Sequence, residues 1–412
     1  MMQAALALAG LLALAFLCSE DRRRIPWRVV IGGVGLQVAF ALLLLRFPPA
    51  RAVLMLANDG AHALQRATDT GTAFVFGYLG GGPLPFVEAA PGASFILAFK
   101  ALPMVLVISA VAGLLFYWGV LQRITGLFAW LLRRSLGIGG PLALGAAVHV
   151  FVGMIEAPLL IRPYLARMQR GELFALMTCG LAGVAGTVMV IYAGFLSPLL
   201  PDALGHILTA SVIATPAGLA VAAVMVPWRS EGAVDEGALA IDSPPANAVD
   251  AIVKGTMDGV GPLVAIVCLL LVTVALVSLL NMGLGALWAW DGAPITLQRL
   301  FALGFRPVMW LIGVPWAESG VAAGLMATKT VLNEFVAYRD LAGTELSPGS
   351  QIILTYALCG FANFGSLGIL VGGLGAMLPE RRGEVVALGL RAVLAGTIAT
   401  CMSGAVAGAL AG

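Results

Sequence analysis

The composition of this 412-residue chain is that of a protein embedded in a membrane. Hydrophobic residues make up 60% of the chain, charged residues make up only 11%, and the mean hydropathy is +0.99. A soluble domain carries about 25% charged residues, so a soluble fold is excluded, and a net charge of +2 argues against a nucleic-acid-binding surface. We therefore expect an all-α polytopic protein whose main environment is the lipid bilayer.

The first 122 residues contain three predicted membrane spans and one surface helix. An apolar run over residues 4–18 is followed by four arginines between residues 22 and 28. Basic residues favour the cytoplasm, and a signal peptide carries its charge in front of the apolar run, so we expect a membrane helix with a periplasmic N-terminus. Further spans are predicted over 29–45 and 94–118, with an amphipathic surface helix over 48–77 between them.

The segment 123–227 opens with a short interfacial helix over 127–132 and continues with an interrupted apolar stretch over 137–167. Each arm of that stretch is too short to cross a bilayer. We therefore predict a re-entrant hairpin with its tip at residues 153–158, which include Glu156; irregular backbone at this depth must line a cavity. A glycine-broken span over 173–196 and an unbroken span over 202–226 follow.

The segment 228–296 is predicted to contribute less to a transport site than the two segments that contain the hairpins. It comprises most of a polar loop at 227–250 and a span over 251–280, and a wetter connection begins at residue 284 and runs to 299. The first 122 residues and this segment are interpreted as mainly scaffold.

The segment 297–412 repeats the pattern of 123–227. An interfacial helix over 301–311 precedes a second hairpin over 316–341, with Asn333 and Glu334 at its turn. A span over 350–378, broken at residues 360–366, and a last span over 385–410 follow. Because the two hairpins enter from opposite sides in the predicted topology, the order indicates an inverted repeat with a transport site between its halves.

Glu334 is the most informative residue in the sequence. An ionised carboxylate at the centre of a bilayer costs at least about 2.5–3.5 kcal/mol, so it must face a wet cavity or a partner. Lys329 is the alternative partner, through a salt bridge. Asn333 adds a donor and an acceptor beside the acid, and the pair suits a ligand rich in hydroxyl groups.

Three classes of function are compatible with a membrane chain of this kind. A channel also uses re-entrant loops but rarely needs two buried acids. An enzyme is disfavoured because the sequence has no HExxH motif, no Cys–His pairing and no metal-binding cysteine spacing among its five cysteines. A transporter that needs no resident metal or cofactor is the preferred interpretation.

Four motifs resemble those of the concentrative nucleoside transporter family, here a bacterial member. They are NEFVAY at 333–338 with the preceding Lys329, GVPW at 313–316, CGFANF at 359–364 and GxxEAP at 153–158. The resemblance implies eight transmembrane helices, two opposed re-entrant hairpins, interfacial helices, a homotrimer and an elevator mechanism. It also implies a nucleoside substrate imported across the inner membrane with a proton or a sodium ion.

The resemblance also implies a set of substrate-binding residues. Glu334, Asn363 and Ser366 would contact the sugar, Phe361 would pack near the nucleoside, and Val188 would pack against the base. A carboxylate that accepts from two ribose hydroxyls makes a strong, charge-assisted pair of hydrogen bonds.

The base-contacting side departs from the family pattern. Met154 and Ile155 stand before Glu156 where the family usually has Gln and Ser or Thr. Apolar side chains discriminate weakly between polar isosteres. We therefore expect altered or relaxed base selectivity.

The coupling-ion region departs as well. His149 and Gly183 stand where sodium-driven members have side-chain oxygens, which leaves backbone carbonyl groups at Val152, Gly183 and Val184. Histidine titrates near neutral pH, so we expect a proton more than sodium to be the coupling ion. The alternatives are a sodium-coupled symporter and an uncoupled facilitator or channel.

Overall fold

The computed structural model describes residues 2–88, 94–229, 245–287, 289–290 and 292–411. Those residues form α-helices joined by short turns, together with one small antiparallel hairpin. The helices of the N-terminal half are α1 (Met2–Leu17), α2 (Trp27–Arg46), α3 (Pro48–Phe76), α4 (Leu97–Lys100), α5 (Met104–Tyr117), α6 (Val120–Leu136), α7 (Gly140–Val148), α8 (Glu156–Leu160), α9 (Arg162–Leu165), α10 (Arg170–Ala182), α11 (Gly186–Leu196) and α12 (Ala203–Met225).

The C-terminal half begins with a much longer helix. Its elements are α13 (Ala248–Leu287), strands β1 (Ala289–Trp290) and β2 (Ala293–Pro294), α14 (Leu297–Leu311), α15 (Trp316–Val331), α16 (Glu334–Ala342), α17 (Pro348–Leu358), α18 (Phe364–Met377) and α19 (Arg382–Ala411). Five helical stretches among the described residues are long and apolar enough to cross a membrane. They are Trp27–Arg46, Leu97–Tyr117, Ala203–Met225, Ala248–Leu287 and Pro379–Leu410.

Several predicted elements need correction. The predicted span over 94–118 agrees with the apolar helical stretch Leu97–Tyr117, but this stretch is interrupted between α4 and α5, because Pro103 lacks the amide hydrogen that would continue the first helix. The predicted interfacial helix over 127–132 is a 17-residue helix, α6, which ends at Gly137 with a φ of 69°. The polar loop predicted over 227–250 falls largely on residues 230–244, which lie outside the described residues.

The connection predicted over residues 284–299 also needs correction. Its first residues extend α13 to a length of 40 residues, and β1 pairs with β2 after it. Gly292, with a φ of 71°, lies between the two strands, in a conformation that side chains disfavour.

Two helices are interrupted near the middle of the molecule. Residues 183–185 separate α10 from α11, and residues 359–363 separate α17 from α18. Both interruptions lie where glycine-containing breaks are predicted. They expose backbone groups that a continuous helix would have used internally.

Two further helix pairs are joined by short non-helical tips. Residues 149–155 join α7 to α8, and residues 332–333 join α15 to α16. Glu156 and Glu334 are each the first residue of the helix after the tip. We call α7–α9 the first hairpin and α15–α16 the second hairpin.

The helices pack into one large core and one peripheral pair. The core contains α10, α12, α17 and α19, with α2 packed on α12 and α1 on α19. The peripheral pair is α5 and α13, which cross closely because Gly255 would place an added Cβ only 2.5 Å from the carbonyl oxygen of Ser109. A cavity lies between α13 and the core.

Candidate functional site

The two hairpin tips and the two helix breaks surround a cavity of about 340 Å³, which α13 closes on its remaining side. All eight residues predicted to bind substrate line this cavity. They are Met154, Ile155, Glu156, Val188, Glu334, Phe361, Asn363 and Ser366. The structure thus brings together residues that lie up to 212 positions apart in the sequence.

Glu334 is held in a fixed orientation inside this cavity wall. It is only 5% exposed, and its carboxylate accepts two hydrogen bonds. Tyr192 donates its hydroxyl to Oε1 over 2.7 Å, and Asn363 donates its side-chain amide to Oε2 over 2.8 Å. Glu334 also begins α16, where the helix dipole favours a negative charge.

Asparagine caps two of the helices that begin at the cavity, α16 and α18. The side-chain oxygen of Asn333 accepts from the amide of Val336 at the start of α16. The side-chain oxygen of Asn363 accepts from the amide of Ser366 at the start of α18, over 2.7 Å. Each cap satisfies one amide that a helix start leaves open, and Asn363 still has its NH₂ group for Glu334.

Glu156 approaches the same cavity from the first hairpin. Its side chain is exposed to the cavity and folds over Gly153, where an added Cβ would lie 2.2 Å from its Oε2 atom. Only glycine leaves room for the carboxylate at this position. The carboxylates of Glu156 and Glu334 therefore face one shared chamber from two different hairpins.

The remaining wall is apolar. Ile155 packs against α18 at Gly373, where an added Cβ would lie 2.1 Å from its Cδ1 atom. Met154 and Val188 are both 6% exposed, and Phe361 is half-buried. This side offers shape and dispersion contacts to a planar ring, whereas the Glu334 side offers hydrogen-bond acceptors.

The four residues of the predicted coupling-ion region lie near the contact between the first hairpin tip and the α10–α11 break. The amide of Gly186 donates to the carbonyl of Phe151 over 3.2 Å across this contact. His149 is 4% exposed, and its ring packs against Gly180 of α10. Its Nε2 atom has no hydrogen-bond partner in the part of the chain that the structure describes.

The backbone of the break supplies the other groups in this region. Gly183 is extended and its carbonyl accepts from the amide of Phe361 over 3.2 Å. The amide of Val184 donates to the hydroxyl of Ser211 over 3.4 Å. Val152 belongs to the hairpin tip, beside the Phe151 carbonyl. Within the described ranges, no cluster of three metal-binding side chains occurs.

The sequence interpretation misses Tyr192 and needs correction at Lys329. Tyr192 lies one helical turn after Val188 on α11, a spacing that would have placed it on the same face. Lys329 does not form the alternative salt bridge with Glu334. It is fully buried near the end of α15, and its Nζ atom has no partner among the described residues.

Two hairpin tips, two interrupted helices and a largely apolar central cavity that two carboxylates face are the features of a membrane transporter. Comparison with known proteins gives its family. Residues 206–408 match the model described as "Na+ dependent nucleoside transporter C-terminus". Residues 6–79 match the corresponding N-terminal model, and residues 98–199 match a gate model described as "Nucleoside recognition".

Similar proteins support the same assignment along the whole chain. A putative nucleoside permease, NupX of Escherichia coli, is 32% identical over 99% of this chain and 98% of its own length. Sodium/nucleoside cotransporter 1 of Mus musculus is 34% identical over 97% of this chain and 62% of its own. An uncharacterised transporter of Haemophilus influenzae is 38% identical over 99% of this chain and 97% of its own.

The fold is also that of solved transporter structures. CNTnw in an inward-facing substrate-bound state superposes with a TM-score of 0.88 at 37% identity, covering 100% of this chain and 99% of that one. A CNTnw variant in an outward-facing state gives 0.88 at 36% identity, covering 99% and 97%. The chain therefore belongs to the concentrative nucleoside transporter family, and it is a transporter rather than an enzyme.

Proposed function

We propose that this protein imports nucleosides across the bacterial inner membrane together with a cation. The observation that carries the proposal is the Glu334 carboxylate, oriented by Asn363 in a cavity whose opposite wall is apolar. A nucleoside has matching chemistry, because its sugar carries hydroxyl donors and its base is planar. The carboxylate would accept from sugar hydroxyls, with Asn363 and Ser366 beside it.

The base would lie between the first hairpin and α11. Met154, Ile155, Val188 and Phe361 supply apolar contacts there, and Glu156 is the polar group that faces the chamber from this hairpin. This wall therefore offers few fixed hydrogen-bond donors or acceptors that could distinguish one base from another. Broad acceptance of pyrimidine and purine nucleosides is the expected result.

The transport cycle is proposed to move the hairpins, the broken helices and the core against a static part. The packing favours α5 and α13 as the static part, with α1 and α2 joined to the moving core through α12 and α19. This assignment places α1 and α2 in the moving part, whereas the division at residues 122, 227 and 296 places them in the scaffold. That four-segment division stays a prediction. Eight spans, opposed hairpins related as an inverted repeat, a homotrimer and a periplasmic N-terminus complete the proposed architecture.

The proposed coupling ion is a proton. Sodium binds best to several oxygen atoms, and here His149 and Gly183 supply none from their side chains. The backbone carbonyl of Gly183 is already engaged by Phe361. An imidazole on the hairpin that also carries Glu156 is the kind of titratable group that proton-driven transporters use.

Radiolabelled uridine uptake into proteoliposomes tests the function and the ion together. Uridine should accumulate in the vesicles under an inward proton gradient. A protonophore should abolish this accumulation, and replacement of sodium by choline should leave it unchanged. His149→Asn should lose the proton dependence, whereas His62→Asn, on the surface helix α3, should retain it. Accumulation that needs sodium and ignores the protonophore would establish sodium coupling, and uptake that only equilibrates would establish a facilitator.

A further inference from the structure

A second cavity, of about 280 Å³, lies at the ends of three membrane-spanning helices, and none of its described lining residues belongs to the central cavity. Helices α2 and α19 end beside it and α12 begins there, so it lies at one boundary of the membrane. Its wall combines apolar and charged side chains. They include Leu45, Leu54, Leu410, Arg46, Asp202 and His206.

Helix α3 closes this cavity from the side and is fixed there by hydrogen bonds. Asn58 of α3 is 9% exposed. Its side-chain NH₂ group donates to the carbonyl of Pro201, and its side-chain oxygen accepts from the amide of Leu204, each over 3.3 Å. A Cβ added to Gly205 would lie 3.3 Å from the Cβ of Leu54, so α3 and α12 approach closely. The cavity is therefore preformed between elements that are held against each other.

Two opposite charges face the cavity from different elements. Arg46 is the last residue of α2, and Asp202 directly precedes α12. Asp202 makes no capping hydrogen bond with its side chain, and within the described ranges neither side chain has an ion-pair partner. The guanidinium and the carboxylate are thus both available to one ligand that carries a negative and a positive group. The ring of His206 completes this side of the wall, and its Nδ1 atom lies 3.0 Å from the hydroxyl oxygen of Tyr356.

The apolar part of the wall restricts the ligand to one that also belongs in the membrane. Leu45 on α2 and Leu54 on α3 are half-buried, and Leu410 near the end of α19 is buried. A soluble phosphate or a small soluble zwitterion would leave these side chains uncovered. A phospholipid covers them with an acyl chain while its headgroup lies at the two charges.

We propose that this cavity binds a zwitterionic phospholipid whose headgroup carries a primary ammonium, the chemistry of phosphatidylethanolamine. Arg46 donates to the lipid phosphate, Asp202 accepts from the ammonium, and an acyl chain packs on the leucines. The Asp202 carboxylate sets the headgroup preference. The quaternary ammonium of phosphatidylcholine has no N–H to donate, and the anionic phosphatidylglycerol has no positive group for the carboxylate.

Native mass spectrometry of the purified protein tests this inference. The protein is exposed to equal amounts of phosphatidylethanolamine, phosphatidylcholine and phosphatidylglycerol with the same acyl chains. The wild-type protein should retain phosphatidylethanolamine about tenfold over each of the other two, in line with one hydrogen bond between charged groups. Asp202→Ala should reduce this preference to about twofold or less, whereas Arg46→Gln should weaken the retention of all three lipids and keep their order.

Arg339→Gln and Asp340→Ala are the matched controls, because these two residues pair with each other and do not line the cavity. Both variants should keep the wild-type retention and preference. The ratio of lipids bound to one protein does not depend on the amount of folded protein. It is measured without nucleoside, so its outcome is independent of the proposed transport function.

Three results for the lipids would overturn the inference: equal retention of all three by the wild-type protein, preferential retention of phosphatidylglycerol, or an unchanged preference in Asp202→Ala. An equal loss of preference in Asp340→Ala would overturn it as well. Glycerophosphoethanolamine, which has the same headgroup without acyl chains, should not displace the bound lipid at equimolar concentration. Full displacement would show that the cavity takes a soluble zwitterion instead.

Discussion

The backbone amide of Phe361 donates to the carbonyl oxygen of Gly183 over 3.2 Å. This bond joins the break that carries the predicted coupling-ion region to the break that lines the central cavity. The contact is tight, because a Cβ added to Gly360 would lie 2.9 Å from the carbonyl oxygen of Ala182. A displacement at either break would therefore press on the other, and this contact is where the proposed ion and substrate sites would be coupled.

This close contact predicts that Gly360→Ala is destabilising. The new methyl group would meet the backbone of Leu181 and Ala182, and overpacking of this kind costs about 1–3 kcal/mol. Thermal unfolding in detergent should show a lower Tm, and uridine uptake should fall with it. Gly368→Ala on α18 is the control, because nothing lies within 4 Å of an added Cβ there, and its Tm should stay at or above the wild-type value.

The ion region predicts a change of coupling ion in a double variant. His149→Asn combined with Gly183→Ser would restore two side-chain oxygens at the contact between the first hairpin and the α10–α11 break. Gly183 has room for the serine, since the nearest atoms to an added Cβ belong to Ser211 at 3.9 Å. Uptake by the double variant should rise several-fold with external sodium, whereas wild-type uptake should not.

Uptake by the double variant that stays indifferent to sodium would argue against this location of the ion site. A wild-type protein that already responds to sodium would argue against proton coupling itself. Measuring both proteins at one pH with choline as the replacement cation separates these outcomes.

Asn363 is predicted to act on both folding and binding. Asn363→Ala removes the cap of α18, worth about 1 kcal/mol, and also the donor to Glu334. The uridine KM should rise at least tenfold, in line with loss of a hydrogen bond to a charged group of about 1.5–3 kcal/mol. Thr296→Ala removes the cap of α14, and Thr296 does not line the cavity, so this variant should lower Tm comparably and leave KM unchanged.

The apolar base wall predicts broad selectivity that polar side chains should sharpen. Competition of unlabelled uridine, cytidine, adenosine and inosine against labelled uridine should give inhibition constants within about tenfold of one another, because apolar pockets discriminate weakly. Met154→Gln with Ile155→Thr should spread these constants. Strict pyrimidine selectivity in the wild-type protein would contradict the interpretation of this wall.

The ion pairs of Glu20, which lies in the connection between α1 and α2, have a pH dependence of defined sign. The Arg170 guanidinium, which donates to Glu20, lowers the pKa of that carboxyl below its ordinary value of 4.5, and Arg391 also donates to it. The ion pairs stabilise the folded state fully above pH 4.5, and this stabilisation is lost as the pH falls through the lower pKa that Glu20 has in the folded protein. The pair is partly exposed, so it contributes at most about 1 kcal/mol.

Glu20→Gln should therefore lower Tm by about 1 °C at pH 7 and by progressively less below pH 4.5. Asp21→Asn is the control, because Asp21 pairs with Arg24 at a more exposed position and should have no measurable effect. A difference between wild type and Glu20→Gln that grows on acidification would refute the sign of the argument.

The sequence predicted the polar parts of the site better than the aromatic parts. Glu334 and Asn363 stand out because each interrupts an apolar run, where a polar side chain needs a partner. Tyr192 gives no such signal, because an aromatic residue in an apolar helix resembles any core residue. Only the spatial approach of α11 to the second hairpin reveals its contact with Glu334.

Long-range geometry explains the other differences between prediction and structure. The separation of five residues allows a salt bridge between Lys329 and Glu334, but the Glu334 carboxylate is engaged by Tyr192 and Asn363, and the Nζ atom of Lys329 has no hydrogen-bond partner among the described residues. The length of α13 and the small β hairpin after it were missed because glycines near residue 284 indicate a helix end. In the structure Gly283 and Gly285 continue the helix.

Direct binding of uridine to purified protein tests the central claim, that Glu334 in the shared cavity recognises the nucleoside. We predict measurable uridine binding to the wild-type protein by calorimetry and at least tenfold weaker binding to Glu334→Gln, because a charge-assisted hydrogen bond is lost. Glu318→Gln, at the far end of α15 where Glu318 accepts from Ser347, should bind as the wild type does. Equal affinity of the wild-type and Glu334→Gln proteins for uridine would contradict the claim.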